Sequence, residues 1–114
     1  QGLGCDVLQI FKVRTTQKTY CVPPVSETSY MSKIYDLDMS SWPPTQQGTV
    51  ELDTSKAYQY IADGFDSHSD YLIVSSDAVA KDQWTSYQYI AAIDTKSNSV
   101  AQTFTQQFNT RQAT

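Results

Sequence analysis

Residue types that carry catalysis and cofactor binding are scarce in this chain of 114 residues. It contains one histidine, two cysteines and four dispersed glycines. The cysteines are not spaced as C-x-x-C, no G-x-S-x-G motif occurs, and no glycine-rich phosphate loop is present. These absences disfavour a disulfide-exchange enzyme, a serine hydrolase and a nucleotide-binding protein. We therefore expect a non-enzymatic protein that binds no cofactor and no metal.

Positive charge and long apolar runs are also lacking. Eight Lys and Arg stand against twelve Asp and Glu, which gives a net charge of -4 and a pI near 4.6. A nucleic-acid backbone needs a clustered basic surface, so the composition disfavours that partner. No apolar run approaches the roughly 20 residues of a spanning helix. We expect one domain over residues 1–114, with no membrane span and a frayed tail from about residue 109.

The residues that are present in quantity indicate a compartment. Ser, Thr, Gln and Tyr are abundant while Lys and Glu are sparse, a composition typical of secreted or periplasmic proteins. The chain starts at Gln1 without Met, as a mature product or a trimmed chain would. Cys5 and Cys21 predict one disulfide, and two reduced, buried thiols are the alternative. We expect a periplasmic or secreted protein.

The spacing of the cysteines limits how such a bridge can form. A loop closed between Cys5 and Cys21 would gain ~3 kcal/mol in the chain-entropy model. A two-residue turn at Thr16 and Gln17 would leave Cys5 without a partner nearby at Cys21. The bridge is therefore not a rung across a tight hairpin. Either it links the start of a strand to a returning loop, or it does not form.

Residues 53–65 carry the start and stop signals of a helix. Asp53 or Thr54 can accept a hydrogen bond from a free backbone N–H group of the first turn. Gly64 can adopt the left-handed conformation that closes the last turn. Four apolar residues at helical spacing would form the buried stripe: Ala57, Tyr60, Ile61 and Phe65. A second helix is expected over residues 27–37, capped by Ser26, with Tyr30, Ile34 and Leu37 on its buried side.

Six segments are candidate strands. Residues 7–13 and 71–74 are apolar on both faces, which predicts interior positions in a sheet. Residues 19–22 and 49–52 are shorter candidates. Residues 84–93 alternate in the manner of a strand, and a turn at residues 95–98 would return the chain as a partner strand over residues 100–108. Asn98 is expected to adopt a positive φ, and a helix over 100–108 is the alternative to the strand.

These elements predict an α+β fold. We expect a single mixed, mostly antiparallel sheet of about five strands with about two helices packed on one face. The strand at Val50, the following helix and the strand at Tyr71 would form a right-handed crossover if the two strands were parallel neighbours.

The irregular segment 38–48 is the candidate contact region. Its Trp42, Pro43 and Pro44 are expected to be extended, and the loop serves either as a packed anchor or as an exposed contact site. Tyr35, Trp42 and Trp84 are the aromatic residues expected to be exposed. The predicted partner-binding residues are therefore Tyr35, Trp42, Pro43, Pro44 and Trp84.

The lone histidine, His68, lies between Asp66 and Asp70. In a strand these three residues would share a face that could hold a metal or orient the imidazole. In a loop they are ordinary solvent-facing residues, which is the favoured reading because no second His or Cys cluster supports a site. Carboxylate pairs such as Asp36 and Asp38 are acid/base candidates, although such pairs more often form caps and turns.

Residues 56–64, 69–74 and 87–97 together resemble a known family. They are similar to the helix, the "ADYLIVG" strand and the "LIDVKTG" hairpin of small envelope lipoproteins, of the penicillin-binding-protein activator and curli-secretion-like type. Ser75 replaces the usual Gly after the strand, and the turn Gly is replaced near Asn98. The resemblance covers the second half of the chain. It implies a non-enzymatic role in envelope assembly or secretion, with a protein partner in the cell envelope.

Three functional hypotheses follow. The first is a secreted or periplasmic protein-binding module, an accessory factor of envelope assembly or secretion. The second is an inhibitor or immunity protein that blocks an enzyme with residues 40–47. The third is a small hydrolase or metal-dependent enzyme around His68. An inhibitor would lose its 1:1 complex on loop replacement, an enzyme would lose turnover on His68→Ala, and an assembly module would tolerate that change.

Overall fold

The computed structural model describes Cys5 and residues 10–13, 16–23, 30–64 and 70–109, and these residues form two antiparallel sheets. The strands of the first sheet lie in chain order: β1 (Ile10–Lys12), β2 (Thr19–Cys21), β3 (Lys33–Asp38) and β4 (Thr45–Glu51). Five strands form the second sheet: β5 (Tyr58–Asp63), β6 (Tyr71–Ser76), β7 (Val79–Ala80), β8 (Thr85–Asp94) and β9 (Ser99–Asn109). There β6 lies between β5 and β8, and β7 and β9 each pair with β8.

The predicted α+β class is therefore wrong. Every strand pairing is antiparallel, and the strand that contains Val50 lies in a different sheet from the strand that starts at Tyr71. The predicted right-handed crossover consequently does not occur. Within the described residues the helical structure is limited to one 3-10 turn at Thr54–Lys56.

The helix predicted over residues 53–65 is wrong beyond its first turn. Asp53 does cap that turn, accepting a hydrogen bond from the Ser55 amide at 3.0 Å. Ala57 then adopts a left-handed φ of 54°, and the chain continues as β5. Of the four apolar residues of the predicted stripe, Tyr60 and Ile61 are neighbours within β5, and Tyr60 is 52% exposed. Pairing with β6 makes this segment a strand. Phe65 lies outside the described residues.

The second predicted helix, over residues 27–37, is also wrong where the structure describes it. Lys33–Asp38 is strand β3, and Tyr30 is 42% exposed instead of buried. Ile34 belongs to the core between the sheets, whereas Leu37 is buried outside that cluster. Ile34 and Leu37 are three residues apart and both buried because β3 buries residues on both of its faces. The same spacing is typical of one face of a helix.

The predicted hairpin of the second half is confirmed. Strands β8 and β9 pair along their whole length, and Asn98 in the connecting turn has a φ of 55°. The predicted interior strand at Tyr71 is confirmed as β6, although its burial alternates along the strand. β1 lies at one end of the first sheet's strand order, so the interior position predicted for residues 7–13 is wrong. The predicted frayed tail lies outside the described residues after Asn109.

The predicted disulfide is confirmed. Cys5 and Cys21 are bridged, with their Cα atoms 5.8 Å apart. Cys21 pairs with Ile10 in the β1–β2 ladder, so Cys5 reaches it from the chain that precedes β1. The bridge is thus not a hairpin rung, as the spacing predicts.

The core lies between the two sheets, and both contribute to it. The Met31 amide donates to the Tyr58 carbonyl at 2.9 Å, which joins the start of β5 to the chain just before β3. Most of the buried apolar residues form one cluster: Val13, Tyr20, Val22, Met31, Ile34, Val50, Leu52, Tyr58, Leu72, Val74, Ala91 and Ile93. In the described part of the chain, no helix is long and apolar enough to cross a membrane.

Candidate functional site

The connection between β3 and β4 exposes an apolar tip, which we call the Trp42 loop (residues 39–44). Trp42 is 84% exposed and Met39 is 47% exposed, and Pro43 beside them is also exposed. The Trp42–Pro43 peptide bond is cis. An aromatic side chain is normally covered in a folded protein, so a nearly uncovered Trp at a loop tip makes this loop the candidate contact site. Met39 was not predicted from the sequence as an exposed contact residue. The sequence indicates it only as an apolar residue between the polar residues Asp38 and Ser40.

Hydrogen bonds hold both sides of this loop. Asp38 Oδ1 accepts from the Ser40 amide at 2.9 Å, and hydrogen bonds from Ser40, first its side chain and then its backbone, lower the pKa of Asp38. On β4, Gln46 Nε2 donates to Thr49 Oγ1 at 2.9 Å and Gln47 Nε2 donates to Asp36 Oδ1 at 3.1 Å. The loop is therefore presented from an ordered base, which lowers the entropy lost on binding.

A buried polar cluster, which we call the Asp36 network, lies where this hairpin meets the second sheet. Asp36 on β3 is only 3% exposed. Its Oδ2 atom accepts from Asn98 Nδ2 at 2.9 Å and lies 3.7 Å from Lys18 Nζ. Together with the hydrogen bond from Gln47, these contacts satisfy both oxygens of the carboxylate. A buried carboxylate requires such partners, and here they come from both sheets.

Tyr20 completes the Asp36 network. Its hydroxyl donates to Asn98 Oδ1 at 2.5 Å and lies 3.2 Å from the Thr95 carbonyl oxygen, which also accepts from Lys18 Nζ at 2.7 Å. Burial raises the pKa of Tyr20 well above its usual range, and the negative charges of Asp36 and Asp94 raise it further. The hydroxyl is therefore a neutral donor at pH 7, and the network serves to fasten the β8–β9 turn to the first sheet.

Gly48 permits this close approach. A Cβ atom at that position would lie 3.0 Å from Asn98 Nδ2 and 3.4 Å from Asp36 Cβ. β4 can therefore lie against the β8–β9 turn because residue 48 has no side chain.

The structure brings together only part of the predicted contact set. Trp42, Pro43 and Pro44 share the loop. Tyr35 is half-buried in the middle of β3, opposite Cys21 of β2. Trp84 is 44% exposed and directly precedes β8, whose other end reaches the turn that holds Asn98. The ten residues of β8 place Trp84 roughly 30 Å from that turn.

The predicted acid/base and metal candidates do not form a site in the described residues. Asp36 is buried in its network and Asp38 caps Ser40, so their roles differ from those of a catalytic pair. No group of three or more potential ligands for a metal ion occurs in the described part of the chain. His68 and Asp66 lie outside it.

A shallow depression was missed by the sequence reasoning. It lies between Tyr30 and Val79, both exposed, and has a volume of about 260 Å³. Close by, the Tyr60 hydroxyl donates to Asp77 Oδ1 at 2.6 Å, which raises the pKa of Tyr60. Pockets for small molecules usually enclose ~300–1,000 Å³ and bury most of the ligand. This depression falls short of that range, and the Trp42 loop remains the better candidate.

The chain matches no protein-family model, no curated protein and no solved structure. The resemblance to small envelope lipoproteins therefore stays a prediction. Over the residues that the structure describes, the geometry defines a nearly all-β, disulfide-bridged protein in which Trp42 stands strongly exposed on a loop. The bridge is consistent with an oxidising compartment.

Proposed function

We propose that this protein is a non-enzymatic protein-binding module of the periplasm or the secreted space, and that it binds its partner through the Trp42 loop. One observation carries the proposal: Trp42 is 84% exposed at the tip of a hairpin whose base is held by hydrogen bonds. Its finer form, an accessory role in envelope assembly or secretion, is supported by the resemblance of the second half of the chain.

Energetics favour a protein partner for such a loop. An aromatic side chain buries ~150–250 Å² when it is covered, which at about 25 cal/mol per Å² corresponds to ~4–6 kcal/mol. Trp is among the residues that dominate binding energies at protein interfaces, where one anchor enters a pocket on the partner. Because the base of the loop is already ordered, less of that energy is lost in ordering the chain.

The test is affinity capture from the native source with three baits: the wild type, Trp42→Ala and Trp84→Ala. Captured proteins are identified by mass spectrometry, and the affinity of the recovered partner is then measured. We expect Trp42→Ala to weaken binding by about 30-fold or more, the effect of losing a hot-spot residue. Trp84→Ala is the matched control, since it removes the other exposed indole at a distant position. Equal binding by wild type and Trp42→Ala would contradict the proposal.

Folding must be controlled in the same experiment. Because Trp42 is largely exposed, Trp42→Ala is expected to change the free energy of unfolding by less than ~0.5 kcal/mol. Denaturant titration of the three proteins checks this. His68→Ala is expected to bind the partner as the wild type does, whereas loss of a catalytic turnover in that variant would favour the enzyme hypothesis.

An inhibitor that blocks an enzyme is the second candidate, and the ordered base of the loop favours it as well. The structure assigns Thr45 and the two glutamines after it to β4, so the inserted part would be residues 40–44. Replacing those residues by a glycine-serine segment would abolish a 1:1 complex in either case. The two candidates differ in the partner: an inhibitor suppresses its activity in proportion to the complex formed, and an assembly module leaves it unchanged.

A further inference from the structure

Strand β9 is an unusually exposed sheet edge. It is eleven residues long and pairs with β8 on one side, and no other described strand pairs with it. The seven residues 101–107 are all exposed, including Phe104 at 49%. β4 contacts β9, and just before that strand Asn98 Nδ2 lies 3.0 Å from where a Cβ on Gly48 would be. Residues 101–107 thus offer a long row of edge backbone groups to solvent.

β9 carries no charged residue and no proline along this edge, and its one register shift against β8 falls at Ala101, close to the turn. Residues 97–110 contain no Asp, Glu, Lys or Arg and no proline. Natural proteins usually place such residues on exposed edge strands, because an unprotected edge pairs with other strands. In a chain of net charge -4, an uncharged strand is also where two copies approach with least repulsion.

The sequence around Phe104 is nearly symmetric. Reading outward from it, Thr103 matches Thr105 and Gln102 matches Gln106. One step further Ala101 stands against Gln107, and then Val100 against Phe108. When a strand of this kind pairs antiparallel with a copy of itself about its centre, each residue meets its symmetry mate. Thr meets Thr, Gln meets Gln, and Phe104 meets Phe104 of the second copy.

We propose that two copies of this chain associate through their β9 strands, paired antiparallel about a two-fold axis at Phe104. The surface is distinct from the Trp42 loop, so the inference goes beyond the proposed function. Aromatic pairs and threonine pairs on directly opposite positions each stabilise an antiparallel pair. The joined β8 and β9 strands of both copies would form one continuous sheet.

Strand register supports the central role of Phe104. Direct partners in a sheet lie on the same face, and one row of partners crosses the second sheet: Tyr60, Ser75, Ile90 and Phe104. A two-fold axis perpendicular to the sheet at Phe104 extends this row into the second copy. The contact is isologous, so it closes at two chains and leaves no second β9 edge for a fibre.

Cysteine cross-linking tests the register directly. Phe104→Cys places two thiols on residues whose Cα atoms would lie ~4.5–5.5 Å apart, within the range of a disulfide. The native cysteines are bridged to each other, so the new thiol is the free one. Gln107→Cys is the matched control, because residue 107 faces residue 101 of the second copy. Its two thiols would then be about 20 Å apart.

Under mild oxidation we expect Phe104→Cys to give a covalent dimer and Gln107→Cys to stay monomeric. A mixture of Thr103→Cys and Thr105→Cys should cross-link between the two variants in preference to within either one. Equal cross-linking of Phe104→Cys and Gln107→Cys would overturn the proposed register.

Light scattering after size-exclusion chromatography tests association without new thiols. The wild type is expected to be a dimer, and Thr103→Lys with Thr105→Lys should raise its dissociation constant by about tenfold or more, since like charges then meet directly. Ala62→Lys, at an exposed position of β5, is the control and should leave the dimer intact. A monomeric wild type, or open-ended polymers, would overturn the proposal.

Discussion

The two ends of the β8–β9 hairpin differ in burial and in charge. At its turn end, around Asn98, buried and charged groups from the first sheet close over the hairpin: Lys18, Tyr20 and Asp36. Towards its open end, residues 101–107 of β9 are exposed, and the strand carries no charge. One hairpin is thus fastened by polar contacts inside the molecule at one end and available for contacts with another chain at the other.

The difference shows what each kind of residue specifies. A buried carboxylate tolerates few arrangements, because each of its oxygens needs a donor in the right place. The Asp36 network therefore fixes how the two sheets meet. An uncharged, exposed strand does not require particular partners within its own chain. In the proposed dimer, the pairing at Phe104 would provide partners from a second copy. Substitutions at the two ends should differ accordingly.

The largest effect is expected from Asp36→Ala at the turn end. The change leaves Asn98 and Gln47 without an acceptor and Lys18 without its counter-charge. Breaking a buried pair in this way typically costs about 3–5 kcal/mol, and the partial exposure of Lys18 favours the lower figure. Urea titration monitored by tryptophan fluorescence measures the loss.

Asp38→Ala is the matched control for that substitution. Asp38 lies two residues along the same chain segment and caps the exposed Ser40 amide. Its removal should shift the urea midpoint much less. Comparable losses in the two variants would show that burial of the Asp36 network is not what fastens the sheets.

Gly48→Ala should give the next largest loss. The added Cβ would lie 3.0 Å from Asn98 Nδ2, and the Asn98 side chain cannot simply move away because Tyr20 and Asp36 hold both of its polar atoms. Overpacking of this kind costs about 1–3 kcal/mol. The free energy of unfolding is again the readout.

A double-mutant cycle with Asn98→Gly isolates that clash. Glycine suits the positive φ of residue 98 and removes the atom that the new Cβ meets. Gly48→Ala should therefore cost less in the Asn98→Gly background than in the wild type. If the losses of unfolding free energy were strictly additive, the cost of Gly48→Ala would not come from the clash with Asn98.

The same contrast explains which parts of the fold could be predicted from the sequence. The β8–β9 hairpin was predictable because alternation, β-branched residues and Asn98 all indicate one local structure. The helix over residues 53–65 was not, because Asp53 does cap a turn and only pairing with β6 shows that the following residues are a strand. Local signals cannot reveal that partner, and so the α+β class followed from two misread strands.

The candidate contact residues also differ in how far they could be predicted. Trp42, Pro43 and Pro44 were predictable, since a Trp next to two prolines in a polar segment indicates a loop. Trp84 lies far from these three residues because β8 is long, and the sequence alone did not show that separation. The role of Asp36 was hidden for the same reason: its partners Lys18 and Asn98 are distant in sequence, and one residue cannot indicate them.

Tyr20→Phe should cost about 1–2 kcal/mol at pH 7, because it leaves the part-buried Asn98 Oδ1 without its donor. The variant should also respond less to alkaline pH. The unfolded chain ionises Tyr20 near the ordinary pKa of 10.0, while burial raises the pKa in the folded protein. The unfolded state therefore loses the proton first, and stability that is complete below pH 10 declines as pH rises above it.

Denaturant midpoints at pH 8 and pH 10.5 measure that response. Tyr58 also has a raised pKa through burial, so the decline in Tyr20→Phe should be smaller than in the wild type without vanishing. Lys18 keeps its contact with the Thr95 carbonyl in the variant, which holds the turn in place. If stability declined equally with rising pH in both proteins, the ionisation of Tyr20 would not be linked to folding.

The smallest expected effect comes from comparing the same Thr→Ala substitution at the two ends of the hairpin. Thr95 is fully buried at the turn end, where its hydroxyl donates to the Asp70 carbonyl. Thr103 is exposed on β9. Thr95→Ala should cost about 1 kcal/mol because it removes a buried hydroxyl hydrogen bond, while the Asp70 carbonyl still accepts from the Thr95 amide. Thr103→Ala should change the free energy of unfolding by less than ~0.5 kcal/mol.

That comparison is best made at two protein concentrations. At a concentration where the chain is monomeric, Thr103 contributes only its strand propensity, and its loss is nearly silent. If β9 pairs with a second copy, Thr103→Ala should become more costly as the concentration rises, since association stabilises the folded state by mass action. The cost of Thr95→Ala should stay constant, because its partners lie within one chain. A concentration dependence in both variants, or in neither, would remove the distinction between the two ends of the hairpin.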